Sequence, residues 1–249
     1  MANLTINFRP ESLGFCTDVN VYLPDNVSED IPTLWLLHGM HGDRNSWING
    51  SAIGRYAKER GIAVVMPSAE NSFYTDQKYG CAYYTYISDE LAKYLRKILP
   101  LSEKREKNYI AGLSMGGYGA FKIALRNPDN YCAAASLSGC LDLPDVLGKR
   151  SWGNIAICNW GEDYATSVKD TTEDVLYLID NFPEGAERPR LYVACGTEDF
   201  LYEANKRALE HLEKSDFEFS YNEGSGAHTW KFWDRWIPRA IDYMMERKI

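Results

Sequence analysis

The sequence predicts a single α/β domain over residues 1–249, built on a mostly parallel central sheet with helices on both faces. Three observations support this fold class. Short apolar runs alternate with longer amphipathic stretches after residue 30, most of these runs are continuously apolar, and the composition is that of a globular chain. With 45% hydrophobic and 25% charged residues, the chain can bury a sizeable core. Continuous apolar strands are typical of a sheet that is covered on both sides.

The elements follow from these patterns in chain order. Strands are predicted at residues 15–22, 33–37, 63–66, 108–111, 133–137, 191–195 and 217–221. The first of these alternates and is expected to be antiparallel, and the last is expected at a sheet edge. Helices are predicted at residues 88–99, 118–126, 172–181, 202–214 and 230–247. Residues 139–188 are longer than a crossover needs, so we expect them to form a cap over the carboxyl edge of the sheet.

Charge and motif content exclude several classes of function. The net charge of −8 would repel a polyanion, so nucleic acid is not an expected partner. We find no apolar run of membrane-spanning length and no secretory leader, and therefore expect no membrane association and a cytoplasmic location. The six cysteines lack metal-ligand spacing, so reduced thiols without a metal are expected. Surface aromatic residues permit association into a homo-oligomer.

A candidate nucleophile stands between a predicted strand and a predicted helix. Residues 112–116 read Gly-Leu-Ser-Met-Gly, the G-x-S-x-G pattern, with Ser114 at its centre. A sharp strand-to-helix turn lifts such a serine above the sheet, and the glycines leave room for neighbouring backbone. The alternatives are a glycine-rich joint that only packs tightly and a phosphate-binding loop, but for the latter neither G-x-G-x-x-G nor G-K-[ST] is present. We therefore predict that Ser114 is a nucleophile.

A serine hydroxyl needs a neighbouring base, and the chain offers four histidines. In hydrolases with this elbow the order is Ser, then Asp or Glu, then His, which eliminates His38 and His41. His211 lies in a polar helical stretch that is typical of a solvent-facing side chain. His228 lies in a flexible loop between the last strand and the final helix. It is the predicted base.

The acid that orients the base should follow a strand end upstream of His228. Asp199 comes directly after strand 191–195 and is the leading candidate, with Glu198 as the alternative. A helix N-cap is the competing structural role for Asp199. Asp163 belongs to the insertion and is expected to cap a turn.

Two backbone N–H groups are expected to form an oxyanion hole. One belongs to Met115, the residue after the nucleophile. The other comes from the loop at residues 37–42, after strand 33–37, and Met40 is the predicted donor. The donors are backbone groups, so the methionine side chains need not be essential.

With these residues assigned, the chain resembles the esterase family that includes esterase D and S-formylglutathione hydrolase, and within it the bacterial tributyrin esterases. The matching stretches are residues 36–40, 45–47, 64–67, 104–107, 111–119, 195–205 and 228–230. The resemblance implies an α/β-hydrolase fold, hydrolysis of short-chain acyl esters of small molecules, no cofactor, and Ser114, Asp199 and His228 as the triad. It also implies that related enzymes release acetyl or hydroxycinnamoyl groups from plant polysaccharides.

Several alternatives stay open within this interpretation. The loop at residues 39–42 departs from the Cys-containing loop of S-formylglutathione hydrolases, which argues against a glutathione thioester. Segment 139–188 departs most from the tributyrin esterases, and Trp160 in it is either a wall of the substrate pocket or part of the cap packing. A feruloyl or acetyl esterase, an acyl transferase and a catalytically silent binding protein of the same fold are the other candidates.

Overall fold

The computed structural model describes residues 1–25, 29–149 and 152–246, which contain one sheet of eight strands. In chain order the strands are β1 (Ala2–Phe8), β2 (Thr17–Leu23), β3 (Thr33–Leu37), β4 (Ala63–Pro67), β5 (Asn108–Leu113), β6 (Ala133–Leu137), β7 (Arg190–Gly196) and β8 (Phe219–Gly224). Across the sheet they lie in the order β1-β2-β4-β3-β5-β6-β7-β8. The pairs β1–β2 and β2–β4 are antiparallel and all others are parallel, so the predicted mostly parallel sheet is confirmed.

Helices connect the strands and pack on both faces. They are α1 (Ser46–Gly50), α2 (Ile53–Arg60), α3 (Tyr83–Thr85), α4 (Leu91–Ile98), α5 (Met115–Arg126), α6 (Leu143–Lys149), α7 (Gly153–Trp160), α8 (Tyr164–Ser167), α9 (Val175–Asp180), α10 (Tyr202–Glu213) and α11 (Trp230–Met245). A π-helical turn (Tyr86–Glu90) joins α3 to α4, and a 3-10 turn (Arg105–Lys107) precedes β5. The predicted end of the last helix at residue 247 lies outside the described residues.

Two hydrophobic cores sandwich the sheet. In β3, Trp35 and Leu37 enter one core, while Leu34 and Leu36 enter the other. Every residue of β3 is buried, as a doubly covered strand requires. The first core includes α4 and α5, and the second includes α2 and α11. Because parallel strands carry their functional side chains at their carboxyl ends, the sheet brings the loops after β3, β5, β7 and β8 to one edge.

The differences from the prediction lie at the amino terminus, in residues 46–60 and 83–85, where α1, α2 and α3 were not predicted, and in residues 139–188. Strand β1 was not predicted, although Leu4, Ile6 and Phe8 alternate along it with more exposed residues. The described part of the insertion contains α6, α7, α8 and α9, where the sequence predicted one helix. These helices have four to eight residues, and such short segments depend on tertiary packing more than on periodicity. None of the described helices is long and apolar enough to cross a membrane.

Candidate active site

Ser114 lies where β5 turns into α5, and its backbone has φ +53° and ψ −119°. A non-glycine residue at positive φ is strained, and such strain persists only where the surrounding structure enforces it. Two glycines permit the turn. A Cβ on Gly112 would lie 2.2 Å from the Gly116 carbonyl oxygen, and one on Gly116 would lie 2.5 Å from the Leu37 oxygen. The Ser114 N–H donates to the Leu137 carbonyl at 2.9 Å, which fixes the elbow against β6.

The second candidate side chain, His228, is paired with Asp199. The imidazole Nδ1 is 3.0 Å from Oδ1 and 2.9 Å from Oδ2 of that carboxylate. The Asp199 side chain is completely buried, and it also accepts from the N–H of Leu201 at 2.9 Å. Because a carboxylate accepts, Nδ1 carries the hydrogen and Nε2 of His228 is left as the acceptor. This is the tautomer that a general base requires.

Glu198, the alternative acid, has a different partner. Its carboxylate accepts from the N–H of Gly226 and from the hydroxyl of Ser225, at 3.3 Å for the latter. The bond from the Gly226 N–H lowers the pKa of this carboxyl. A Cβ on Gly196 would lie 1.9 Å from the Gly226 carbonyl oxygen, so the two loops touch backbone to backbone. Glu198 therefore tethers the loop that carries His228.

Two other histidines have partners of their own. The buried His38 ring accepts at Nε2 from the N–H of Ala69 at 2.9 Å and donates from Nδ1 to the Gly39 carbonyl at 2.7 Å. Burial lowers the pKa of His38, which keeps the ring neutral. His211 on α10 contacts the Asp180 carboxylate at 2.8 Å. Both rings have structural partners that account for them.

The predicted oxyanion donors belong to residues on the same cavity as Ser114. Met40 lies in the loop after β3, and Met115 is the first residue of α5; both line the cavity. The indole of Trp47 donates to the Leu37 carbonyl at 2.9 Å and anchors the start of that loop. With the close approach of Gly116 to the same carbonyl, this contact fixes the loop against the amino end of α5.

A cavity of about 680 Å³ opens at this edge of the sheet. The described residues that line it are mostly apolar and include neither acidic residues nor Lys or Arg. They are Gly39, Met40, His41, Gly42, Ser46, Phe73, Leu113, Ser114, Met115, Cys140, Trp152, Phe200, Leu201, His228, Thr229, Trp230 and Trp233. Within the described ranges, no group of three or more His, Cys, Asp or Glu side chains is arranged to hold a metal ion.

A family model described as "Putative esterase" matches residues 11–243. The chain belongs to this esterase family. It is 31% identical over 261 residues to the acetyl esterase of Caldicellulosiruptor saccharolyticus, with 98% of each protein covered. Among solved structures it is similar to the Staphylococcus aureus fluorophosphonate-binding serine hydrolase F, with a TM-score of 0.92, 34% identity and 99% of both chains covered. The S-formylglutathione hydrolase of the same organism gives a TM-score of 0.90 and 34% identity, covering 98% of this chain and 99% of that one. The predicted α/β-hydrolase fold is therefore confirmed.

The aromatic wall of the esterase cavity differs from the prediction, because Trp160 is not among the residues that line it. Trp160 lies behind Phe73, with ring centroids 5.2 Å apart, and its indole donates to Glu173 at 3.2 Å. Trp152, just before α7, lines the cavity instead and meets Phe73 edge-on at 5.7 Å. Of the two roles left open for Trp160, the pocket wall is corrected: Trp160 is part of the buried core and packs against Phe73 there.

Two aromatic rings of the esterase flank the His228 imidazole. Phe200 lies at 4.5 Å between centroids and is 49% exposed, whereas Trp233 is buried and meets the imidazole edge-on at 4.9 Å. The Trp233 indole donates to the Ser138 hydroxyl at 3.1 Å. Phe200 directly follows Asp199 in the sequence and Trp233 lies five positions after His228, so their positions could have identified both. Nothing in the sequence singles out Phe73.

Proposed function

We propose that this esterase hydrolyses short-chain acyl esters through a serine acyl-enzyme. Ser114 Oγ attacks the acyl carbon while its proton passes to Nε2 of His228, and the Asp199 carboxylate holds the opposite nitrogen. One observation carries the proposal: Ser114 and His228 line the same cavity, and His228 Nδ1 is 2.9 Å from a buried carboxylate. A histidine oriented in this way, on the same cavity as a strained serine, is the arrangement that can activate a hydroxyl.

The remaining steps follow from the same groups. The N–H groups of Met40 and Met115 stabilise the tetrahedral oxyanion, each by on the order of 3 kcal/mol. Collapse of this intermediate breaks the bond to the leaving oxygen, which takes the proton from His228. Water then attacks the acyl-enzyme, His228 accepts its proton, and the acid departs as Ser114 Oγ regains that proton.

The cavity supports a neutral substrate of modest size. About 680 Å³ bordered by aromatic and aliphatic side chains suits a short acyl chain with its alcohol. The similarity to an acetyl esterase supports the same class. We propose specificity like that of tributyrin esterases, with acetyl or butyryl esters turned over fastest. Trp152 and Cys140 line the cavity from segment 139–188, which supports a role for that segment as the cap.

Hydrolysis of a formyl thioester is the second candidate, because the chain is 34% identical to an S-formylglutathione hydrolase. Glutathione carries two carboxylates, and none of the described residues on the cavity is Lys or Arg. This favours the neutral esters. Feruloyl esters and acyl transfer to an alcohol are tested in the substrate panel described next. Cytoplasmic location and homo-oligomer formation stay predictions from the sequence.

A substrate panel tests the proposal. Initial rates are measured for p-nitrophenyl acetate, butyrate and octanoate, for methyl ferulate and for S-formylglutathione, with Ser114→Ala as control. Labelling by a fluorophosphonate probe is followed in parallel, and products are analysed with added alcohol.

We expect acetate or butyrate to be fastest, with labelling and turnover both lost in Ser114→Ala. If the wild-type enzyme is neither labelled nor active on any ester, the proposed function is wrong. A strong preference for the thioester or for methyl ferulate would show that the substrate class is not short-chain acyl esters. Ester products of the added alcohol would indicate acyl transfer.

A further inference from the structure

Helix α5, which follows Ser114, carries an ammonium group that the proposed mechanism does not use. Lys122 is 0% exposed, although lysine is almost never fully buried unless it is paired. Its Nζ donates to Glu173 Oε2 at 2.8 Å, to Thr75 Oγ1 at 2.9 Å and to the Phe73 carbonyl at 3.2 Å. An ammonium has three N–H donors, so each donor has an acceptor.

Glu173, just before α9, joins segment 139–188 to this ammonium. Its carboxylate accepts from Lys122 and Arg126 on α5, at 2.8 and 3.2 Å. Hydroxyl and indole donors complete the set, which we call the Glu173 cluster: Thr75, Tyr118, Lys122, Arg126, Trp160 and Glu173. Burial alone would raise the pKa of this carboxyl, but the charge of Lys122 and bonds from Lys122, Thr75 and Trp160 hold it at about 2.

The cluster touches a strained segment of the cavity wall. Phe73 and Tyr74 are consecutive non-glycine residues with φ of +51° and +52°. Two such residues in sequence persist only if their surroundings enforce them. Lys122 holds the Phe73 carbonyl, and the Tyr74 hydroxyl donates to the His38 carbonyl at 2.8 Å. A Cβ on Gly119 would lie 2.4 Å from the Tyr74 ring, so α5 leaves a space for that ring.

We propose that the Lys122–Glu173 ion pair positions both the acyl-binding wall and the oxyanion loop. On one side it fixes the backbone of Phe73, whose ring lines the cavity, and the indole of Trp160 behind that ring. On the other side, the fixed segment places the Tyr74 hydroxyl on the loop that carries Met40. Lys122 and Glu173 are thus positioning residues for acyl-chain selectivity and for turnover. This inference rests on the proposed function.

Protonation of Lys122 is part of this arrangement. A neutral amine has two N–H donors for three acceptors, so deprotonation releases at least one contact. Burial lowers the pKa of Lys122 to about 8, while the Glu173 carboxylate opposes that change. The other charged groups acting on it are Arg126, which lowers the pKa, and Asp76, which raises it. The Tyr118 ring lies 4.8 Å from Nζ.

The experiment compares wild type with Lys122→Met, which keeps an unbranched side chain one atom shorter and removes the ammonium group, and with Glu173→Gln. For each protein, kcat and KM are measured on p-nitrophenyl acetate and butyrate from pH 6.5 to 9.5. The ratio of the two kcat/KM values cancels pH effects on the catalytic groups, because both substrates depend on the same groups. Lys93→Met, which breaks the exposed pair of Lys93 with Asp89, is the matched control.

We expect Lys122→Met and Glu173→Gln to lower kcat by about tenfold or more, because small displacements near reacting atoms cost up to about 100-fold. The wild-type selectivity ratio should change above pH 8, and in Lys122→Met it should be shifted and independent of pH. Lys93→Met should match wild type. Thr75→Val, which keeps the ion pair, is used in place of either variant if that variant does not fold. It should shift the ratio of the two kcat/KM values in the same direction.

Two results would overturn the inference: folded variants with wild-type kcat and selectivity, or a wild-type ratio that is constant across the pH range. Failure of the proposed function would give a result different from both of these. In that case the wild-type protein itself would lack Ser114-dependent turnover, whatever residue stands at position 122.

Discussion

Two segments reach the cavity around Ser114 and are held in different ways. The His228 loop (residues 225–229) is fixed by hydrogen bonds to two neighbouring carboxylates, one buried on Asp199 and one exposed on Glu198. The acyl wall (residues 72–75) is fixed by the fully buried ammonium of Lys122. The first network has one buried and one exposed carboxylate, whereas the ammonium of the second lies inside the core.

The two segments are therefore expected to affect different properties, the catalytic rate for the His228 loop and the stability and pocket geometry for the acyl wall. At the exposed Glu198, water can replace a lost hydrogen bond, so we expect the buried contact between Asp199 and His228 to matter more for the rate. In the core, a missing partner leaves a charge without compensation, so stability and pocket geometry change together. The following predictions test this contrast, beginning with the largest effect.

Asp199→Asn should reduce kcat by about 10⁴-fold, because an amide favours the wrong imidazole tautomer at His228. Steady-state kinetics on p-nitrophenyl butyrate measure the effect, with the melting temperature recorded to show that the fold is retained. A loss below about tenfold would mean that Asp199 does not orient the base.

Glu173→Ala should lower the free energy of unfolding by about 3–5 kcal/mol, because it leaves the buried Lys122 without its counter-charge. Urea titration at pH 7 measures this loss. The carboxyl has a folded-state pKa of about 2 against an ordinary value of 4.5. Its contribution is therefore present above pH 4.5 and lost as the pH falls towards 2, so wild type and variant should converge there. A constant difference down to pH 2 would contradict the assignment.

Glu198→Ala should reduce kcat/KM only modestly, by about fivefold, because it removes the acceptor for the Gly226 N–H at a site open to water. Glu198→Gln keeps an acceptor and should retain nearly full activity. A loss in Glu198→Ala as large as that in Asp199→Asn would show that the Glu198–Gly226 hydrogen bond matters as much for the rate as the contact between Asp199 and His228.

The sequence was most informative where function depends on local chain geometry. The glycines around Ser114 identified the elbow because a tight turn permits few residue types, and the order of Ser, Asp and His identified the two residues that the structure pairs. The structure places Ser114 and His228 on one cavity and pairs Asp199 with His228; the catalytic roles of the three are proposed. Strand β3 was predicted with the right bounds because a doubly buried strand is a continuous apolar run.

The cavity wall could not be predicted in the same way. Lys122 and Glu173 are 51 positions apart, and neither the helix pattern of α5 nor the turn before α9 indicates that they meet. The role of Trp160 stayed open between pocket wall and cap packing, because the short helices of segment 139–188 give no periodicity from which to judge the direction of a side chain. The contribution of Phe73 depends on a positive φ that no residue type in that stretch signals.

The half-exposed ring of Phe200 bears on how products leave. In the proposed mechanism the alcohol departs beside the His228 imidazole, and that imidazole is covered on one side by this ring. We expect an alcohol that leaves past His228 to contact this half-exposed aromatic ring. The acyl group and the alcohol of an ester would then contact different residues. Selectivity for the one could therefore change without a change in selectivity for the other.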